Sequence, residues 1–466
     1  MCGPAAYSGR TGCGWDRGRP VRHDLGMASP HLRAEPFRAA LDIEASGDLA
    51  LRLGTARLPA GGGTWQRGVP GDWLAQLIED WRAFDPLALQ ARLDRLTHLR
   101  ADVGGVSVHL VHATGTGPDP LPLVLTHGWP SSFLEYLTLL PLLTDPAAHG
   151  GDAADAFTVV LPSLPGFGFS GPPPPGGLLH HQVAELWHTI MTGVLGYERF
   201  AAHGGDAADA FTVVLPSLPG FGFSGPPPPG GLLHQQVAEL WHTIMTGVLG
   251  YDRFAAHGSD LGAGVTAWLA RAHPGEVAAI HLATPGLAAP PRPWSDPVSK
   301  HVAEVEAWSA EEGGYAHMHA TKPATIGAGL DDSPVGLGAW LGEKLIRWSS
   351  TTPAGEPACD RDHLLSTLTL YWTTRTAASS LLPYWAHRHA AASALPADDP
   401  APVPAAIDIF GGEIVPFPKP PRELAERYFN VAHWAEHDRG GHFPAVAEPG
   451  LLAERLREVF RPCRGS

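Results

Sequence analysis

The sequence predicts an α/β protein built on a mostly parallel sheet. The runs 121–126 and 277–282 are continuous apolar stretches, typical of strands that are buried on both faces, and an amphipathic helix pattern follows the first of them. Between them, 253–264 indicates a short strand, a sharp glycine-flanked turn at Asp260 and the start of a helix. Strands that alternate with helices favour a parallel sheet with helices on its faces.

The composition indicates a folded protein with one large core or two to three domains. The chain has 466 residues, is 44% hydrophobic and carries a formal net charge of −15. It lacks the sustained Lys/Arg run that binding to nucleic acid needs, so no nucleic-acid partner is expected. The cysteines, Cys2, Cys13, Cys359 and Cys463, show no CxxC spacing, which predicts neither a zinc site nor a disulfide framework and favours a cytoplasmic setting. No apolar run reaches the roughly 18 residues that a membrane anchor needs.

The patterns divide the chain into five segments. The first 36 residues are rich in Gly, Arg and Pro and are predicted to be a disordered tail, within which Met27 could be the true start. The segments that follow are an N-terminal helical wrapping segment at 37–112, the first half of the core at 113–286, a Trp- and Tyr-rich helical lid inserted after the sixth strand at 287–400, and the second half of the core at 401–466.

A tandem duplication interrupts the first half of the core. Residues 147–200 are repeated almost letter for letter by 201–254. A single sheet of this kind has room for one such unit. We therefore expect the second copy, which runs directly into Asp260, to lie in the sheet and the first copy to lie outside it. The G-x-G-x-x-G at 220–225 is followed by four prolines rather than a helix, so a dinucleotide site is not predicted.

The turn at Asp260 has the form of a nucleophile elbow that carries an aspartate. Gly258 and Gly262 lie two residues to either side, and small neighbours allow a strained turn to present one side chain above a sheet. Taken alone, this Asp could equally be a helix N-cap. In hydrolases of this arrangement, the loop after an upstream strand supplies one backbone N–H to an oxyanion hole and the residue after the nucleophile supplies the second. Here those donors would be Trp129, in His-Gly-Trp-Pro, and Leu261.

A histidine and an acid follow in the order expected of an α/β-hydrolase. His442 lies after the last predicted strand, and Glu413 follows the strand before it. Asp408 and Asp438 are the rival acids; Asp408 lies within a strand and Asp438 crowds the histidine, so Glu413 is favoured. No metal is expected, because the pair His317 and His319 has no third ligand at a suitable spacing.

These motifs together resemble the microsomal-type epoxide hydrolases. HGWP, GxDxG, the stretch with Tyr315 and TKP, DSPVGL, LYWTT and DRGGHF occur in that family's order, from about Phe37 to the C-terminal helix. The resemblance implies an α/β-hydrolase core with a helical lid and the family's N-terminal segment. It also implies that Asp260 is the nucleophile, His442 the general base and Glu413 its acidic partner.

In the lid, the resemblance implies that Tyr315 and Tyr384 are the acids, with Tyr371 as the fallback. It further implies no cofactor, and an epoxide and water as partners; the Trp and Leu content of the lid favours a hydrophobic epoxide. A homo-oligomer stays open. The sequence departs from the family at Leu261, where Trp is common, which should be tolerable if only the backbone N–H is used.

An aspartate suits this chemistry, because attack on an epoxide carbon then leaves an ester that water can hydrolyse, whereas a serine would leave a stable ether. Two other functions stay open at this stage. One is a haloalkane dehalogenase, which uses the same side chains with a halide leaving group. The other is a small-molecule binder whose duplicated segment has impaired catalysis.

Overall fold

A computed structural model of the chain describes residues 34–59, 62–103, 106–118, 120–163, 211–214, 233–242, 254–390 and 395–463. The described residues belong to one compact unit, Leu32–Ser466. The strands are β1 (Ala34–Pro36), β2 (His98–Val103), β3 (Val106–Ala113), β4 (Leu121–Thr126), β5 (Phe157–Ser163), β6 (Phe211–Val214), β7 (Phe254–Ser259), β8 (Val277–Ala283), β9 (Ala401–Gly411) and β10 (Phe429–Gly440).

The helices fall into an N-terminal group, a core group and a lid group. The first two groups are α1 (Ile43–Gly54), α2 (Gly71–Ala83), α3 (Pro86–Leu93), α4 (Leu139–Thr144), α5 (His234–His242) and α6 (Leu261–Ala272). The lid group is α7 (Asp296–Glu312), α8 (Gly314–Thr321), α9 (Pro323–Asp332), α10 (Pro334–Arg347), α11 (Arg361–Thr374) and α12 (Leu382–His389). After the lid come α13 (Arg422–Ala425), α14 (Pro444–Ala447) and α15 (Pro449–Phe460). Short 3-10 turns lie at Phe133–Tyr136, Pro146–His149, Ala153–Asp155, Ser379–Leu381 and Arg461–Cys463.

The strands of the described residues form one mixed sheet in the order β1-β2-β3-β5-β6-β4-β7-β8-β9-β10. Pairing is antiparallel from β1 to β5 across β2 and β3, and parallel from there to β10. The predicted mostly parallel α/β-hydrolase sheet is therefore confirmed. Ala34–Pro36, which the sequence suggested was part of a disordered tail, instead pairs with β2 as an edge strand.

Strands from both copies of the duplication lie in the sheet, so the expectation that the first copy stays outside it is wrong. β5, from the first copy, pairs with both β3 and β4, and β6, from the second copy, pairs with β5. Both strands contain the sequence FTVV, so either is apolar enough for a buried position. The strand of the first copy follows β4 sooner along the chain. Residues 164–210, 215–232 and 243–253, which make up the remainder of the two copies, lie outside the described residues.

Alternating side chains of the central strands feed two apolar clusters, one on each face of the sheet. Phe254 and Ala256 of β7 pack in one cluster with α2, α6, α10 and α11, while Ala255 packs in the other with α4 and α15. This two-sided burial explains why the core strands are continuous apolar runs. Within the described part of the chain, each helix is too short or too polar to span a membrane.

The N-terminal segment packs directly on the lid. Added Cβ atoms at Gly338 and Gly342 of α10 would lie 3.3 and 3.0 Å from Leu77 and Trp73 of α2, so the two glycines allow these helices to approach closely. The indole N–H of Trp81 donates to Thr369 Oγ1 at 3.0 Å. Buried indole donors need partners of this kind, and this hydrogen bond also joins α2 to α11.

A buried ion-pair network holds the C-terminal helix on the sheet. Asp408 of β9 is fully buried, and its carboxylate accepts from Arg455 of α15 at 2.8 and 3.2 Å. Nε2 of His281 lies 3.2 Å and Nε2 of His437 3.4 Å from the same carboxylate. Burial alone would raise the pKa of Asp408, but His281 and Arg455 lower it below its usual value. Asp408 is thus engaged in the sheet, which removes it as a rival catalytic acid.

We expect Arg455→Met to lower the free energy of unfolding at pH 7 by about 3–5 kcal/mol, because it leaves a buried carboxylate without its arginine partner. The pKa of Asp408 is depressed in the folded state, so its contribution is present above the unfolded pKa of about 3.9 and is lost as pH falls below it. The deficit should therefore shrink in denaturant titrations below about pH 4. Arg457→Met is the matched control, because its Nε donates to the backbone carbonyl of Ala453. An equal loss in both variants would contradict the prediction.

Candidate active site

Asp260 occupies a strained turn between β7 and α6. Its backbone has φ 49° and ψ −123°, a conformation that is rare for a residue with a side chain. A Cβ added to Gly258 would lie 2.1 Å from the carbonyl oxygen of Gly262, so the turn can close only with glycine there. The GxDxG motif thus has a structural cause, and its result is a carboxylate raised above the carboxyl end of the sheet.

Two backbone N–H groups point at this carboxylate. The N–H of Trp129 donates to Asp260 Oδ1 at 3.0 Å, and the N–H of Leu261 also hydrogen-bonds to the carboxyl. A Cβ on Gly128 would lie 2.3 Å from the Asp260 Cβ, so this close approach also depends on glycine. Both predicted oxyanion donors are therefore at the predicted nucleophile.

His442 lies on the other oxygen of the carboxylate. Its Nε2 is 3.0 Å from Asp260 Oδ2, and its backbone N–H donates to the carbonyl of Trp348 at 3.0 Å. The imidazole stacks on Phe417, with ring centroids 4.8 Å apart. Burial alone would raise the pKa of Asp260, but His442 and the two N–H groups lower it below its usual value. Asp260 is consequently a carboxylate, as a nucleophile must be.

The lid places two tyrosines above the carboxylate. Tyr315 of α8 and Tyr384 of α12 are hydrogen-bonded to each other, and the negative charge of Asp260 acts on both hydroxyls. Burial is the main cause that raises the pKa of both tyrosines. The second cause is the charge of Asp260 for Tyr315, and the neighbouring Tyr315 for Tyr384. Tyr371 is fully buried and donates to the carbonyl of Ser131 at 3.0 Å, so its hydroxyl is already engaged. The geometry favours Tyr315 and Tyr384 over Tyr371.

The loops that carry Glu413 and His442 are hydrogen-bonded to each other through Gly411 and Gly441, but the Glu413 carboxylate pairs with a different side chain. It is 7% exposed, and its Oε1 accepts from the ammonium of Lys419. Its neighbour Ile414 and His442 are both anchored on 348–350, because their N–H groups donate to the carbonyls of Ser349 and Trp348. The structure therefore places the backbone of Glu413 near that of His442, while the Glu413 carboxylate is paired with Lys419. The other rival acid, Asp438, is exposed.

A second buried carboxyl near Asp260 has no counterpart among the predicted residues. Glu135 is 3% exposed, and burial, with a smaller effect of the Asp260 charge, raises its pKa to about 7. The neighbouring side chains of Ser131 and Tyr136 lower its pKa and so offset part of the effect of burial. The only signal in the sequence was a charged residue within the predominantly apolar pattern that follows HGWP.

One group of side chains among the described residues could offer three ligands to a metal ion. The ligand atoms of Glu239, His242 and His273 lie within 4.8 Å of one another, at the far end of α6 from Asp260. The two imidazoles lie face to face, with centroids 3.2 Å apart and planes at 6°, so their lone pairs do not converge on one point. Nε2 of His273 lies 2.9 Å from Glu239 Oε2. This arrangement joins α5 to α6 and does not form a metal centre as it stands.

The fold and this constellation define an α/β hydrolase with an aspartate at the nucleophile position. Comparison with known proteins gives the narrower identity. Residues 34–136 match the family described as epoxide hydrolase N terminus, and residues 186–312 match the alpha/beta hydrolase fold. A protein of Stigmatella aurantiaca (strain DW4/3-1) named "Putative epoxide hydrolase" is 34% identical over 435 residues, which is 92% of this chain and 85% of that protein. The chain belongs to the epoxide hydrolase family.

Other relatives and solved structures agree. Epoxide hydrolase 1 of Sus scrofa is 28% identical over 439 residues, covering 91% of this chain and 88% of the relative. The structure of Aspergillus niger epoxide hydrolase superposes with a TM-score of 0.68 at 23% identity, covering 92% of this chain and 96% of that one. The juvenile hormone epoxide hydrolase of Bombyx mori gives 0.64 at 21% identity, covering 92% and 93%. The structures support the fold, and the relatives support epoxide hydrolysis over the dehalogenase and binder alternatives.

We expect Gly128→Ala to lower the rate of product formation about 10²- to 10³-fold, because the new methyl would displace either the Asp260 side chain or the Trp129 N–H. Steady-state turnover of an epoxide, measured beside the melting temperature, tests this. Gly47→Ala on α1 is the control, since a Cβ there meets nothing within 4 Å. A fully active Gly128→Ala variant would show that the close approach is unnecessary.

Proposed function

We propose that this epoxide hydrolase converts a hydrophobic epoxide to a vicinal diol through a covalent ester on Asp260. The observation that carries the proposal is that the two oxygens of the Asp260 carboxylate have different partners. Oδ1 accepts from the Trp129 N–H, while Oδ2 lies 3.0 Å from His442 Nε2. An oxygen held in an oxyanion hole is positioned to become the carbonyl oxygen of an ester, and the other oxygen is then the nucleophile.

In the first half-reaction, Oδ2 attacks an epoxide carbon as the carbon–oxygen bond of the ring breaks. The leaving oxygen is a strongly basic alkoxide, so it needs a proton or strong hydrogen bonds as it departs. Tyr315 and Tyr384 supply the donors. Their raised pKa values mean that both hydroxyls keep their protons at neutral pH until the oxygen takes one.

In the second half-reaction, water attacks the Cγ of the ester and His442 takes a proton from that water. Negative charge then develops on Oδ1, where the N–H groups of Trp129 and Leu261 stabilise it. Collapse of the tetrahedral intermediate releases the diol and regenerates the Asp260 carboxylate. The proton taken up by His442 replaces the one lost by the tyrosine, so the sum of both halves is epoxide plus water to diol.

The walls of the site support a hydrophobic substrate. The Trp129 indole stacks on Tyr315 with centroids 5.4 Å apart, and Tyr384 packs edge-on against the same indole at 6.0 Å. Trp348 and Phe417 flank the imidazole of His442. Aromatic walls with a few convergent polar groups are typical of sites for apolar small molecules.

His442→Gln should accumulate the ester, because removal of the base stops hydrolysis while leaving Oδ2 free to attack. Intact-mass measurement after mixing with styrene oxide should show one substrate mass added, and peptide mapping should place it on Asp260. Asp260→Asn is the matched control and should add no mass. In a single turnover of the parent enzyme in H₂¹⁸O, the label should enter Asp260 and not the first diol released. Label in that first diol would indicate direct attack of water and overturn the ester.

The acidic partner of His442 is tested separately. We propose Glu413, because its loop and that of His442 are anchored on the same segment and the Gly441 N–H donates to the Gly411 carbonyl at 2.9 Å. Glu413→Gln should slow ester hydrolysis by about 10²- to 10⁴-fold and leave ester formation nearly unchanged. Asp438→Asn, on the exposed rival, should behave as the parent. If rapid-quench kinetics give the reverse, the role belongs to Asp438.

A further inference from the structure

A buried lysine lies in the lid where the reaction described above does not use it. Lys344, in the last turn of α10, is 6% exposed. Its Nζ lies 3.2 Å from Oε2 of Glu343, its neighbour on the same helix. Lysine is among the residues least often buried, because its charge loses hydration, so this position calls for a compensating role.

The surroundings of the ammonium are aromatic and adjoin the catalytic groups. Nζ lies 5.0 Å from the ring centroid of Tyr315 and 5.7 Å from that of Trp348. The Trp348 ring is itself 5.1 Å from both Tyr315 and His442. Lys344 therefore lies behind the wall of the pocket, on a ring face of one of the two proposed proton donors.

We propose that Lys344 is a positioning residue whose cation stabilises the negative charge that develops on Tyr315 as the epoxide ring opens. This inference rests on the proposed function of Tyr315. When Asp260 Oδ2 bonds to carbon and the ring carbon–oxygen bond breaks, the Tyr315 proton passes to the leaving oxygen and a phenolate remains. Phenolate charge spreads into the aromatic ring, so an ammonium on the ring face is attracted more strongly after proton transfer than before it.

The other titratable groups described around the Lys344 ammonium are a neutral histidine and two carboxylates. His319 of α8 is buried, and burial, followed by the charge of Lys344, lowers its pKa to about 3. Its Nε2 accepts from the indole N–H of Trp340 at 3.0 Å, which fits a neutral imidazole. The anions nearby are Glu343, which pairs with Lys344, and Asp260, whose charge opposes ionisation of Tyr315. Lys344 is thus placed to offset the effect of Asp260 on that tyrosine.

A double-mutant cycle in the full-length enzyme separates this role from packing. Lys344→Met removes the charge at similar length, and Lys344→Arg keeps it; each is made alone and together with Tyr315→Phe. The measured quantity is the rate constant of ester formation, from rapid acid quench and intact mass, for epoxides whose leaving alkoxides differ in basicity. Ester hydrolysis is followed in the same samples as the internal reference.

Lys344→Met should slow ester formation about thirty-fold, the size expected of a desolvated cation–π contact, and most for the most basic leaving group. Hydrolysis should change less than two-fold, and Lys344→Arg should recover most of the rate. In the Tyr315→Phe background the lysine substitution should have almost no further effect. Should Lys344→Met fail to fold, Lys344→Gln takes its place, and the Arg variant still tests whether charge is what matters.

An equal loss with and without Tyr315, or no difference between the Met and Arg variants, would overturn the role of Lys344 and leave the proposed function intact. Failure of the proposed function gives a different result. In that case no ester forms on Asp260, or Tyr315→Phe and Tyr384→Phe leave ester formation at the parental rate.

Discussion

The geometry of the site depends on one carboxylate being held from three distant parts of the chain. Trp129, Asp260 and His442 meet there, joined by contacts of 3.0 Å on either oxygen. Asp260 adopts its positive φ only because Gly258 and Gly128 leave room for the neighbouring backbone and side chain. A single residue in an unfavourable conformation is stable when the surrounding structure over-determines it, and here a buried strand on one side and a helix on the other do so.

Trp129 links this carboxylate to the lid. Its backbone N–H donates to Asp260, its indole stacks on Tyr315 and its Nε1–H donates to Ser380 at 3.2 Å. A change in the position of the lid therefore reaches the oxyanion hole through one side chain. The N-terminal segment packs on α10 and α11 of the same lid, where Gly338 and Gly342 admit the side chains of α2 and Thr369 accepts from Trp81.

The parts of the site that could be predicted are those set by short motifs. Asp260, Leu261, Trp129 and His442 follow strands within a few residues, so the carboxyl edge of the sheet places them once the strand order is known. The lysine that pairs with the Glu413 carboxylate could not be predicted, because Lys419 is six residues away in a loop without periodicity. Lys344 and Glu135 were missed for another reason: a charged residue in a helical pattern is assigned to solvent, and only tertiary packing reveals that these two are buried.

The prediction that only one copy of the duplication lies in the sheet was wrong, yet the site is unaffected for a topological reason. The repeated segment lies in the connection between β4 and β7, and those strands pair directly, from Leu123 with Ala255 to Thr126 with Gly258. That register alone brings the turn after β4 to the elbow after β7, and hence Trp129 to Asp260. A long insertion between paired strands adds loop-closure entropy that grows only slowly with length. Where the second strand is placed therefore changes one flank of the sheet and leaves the contact that defines the site in place.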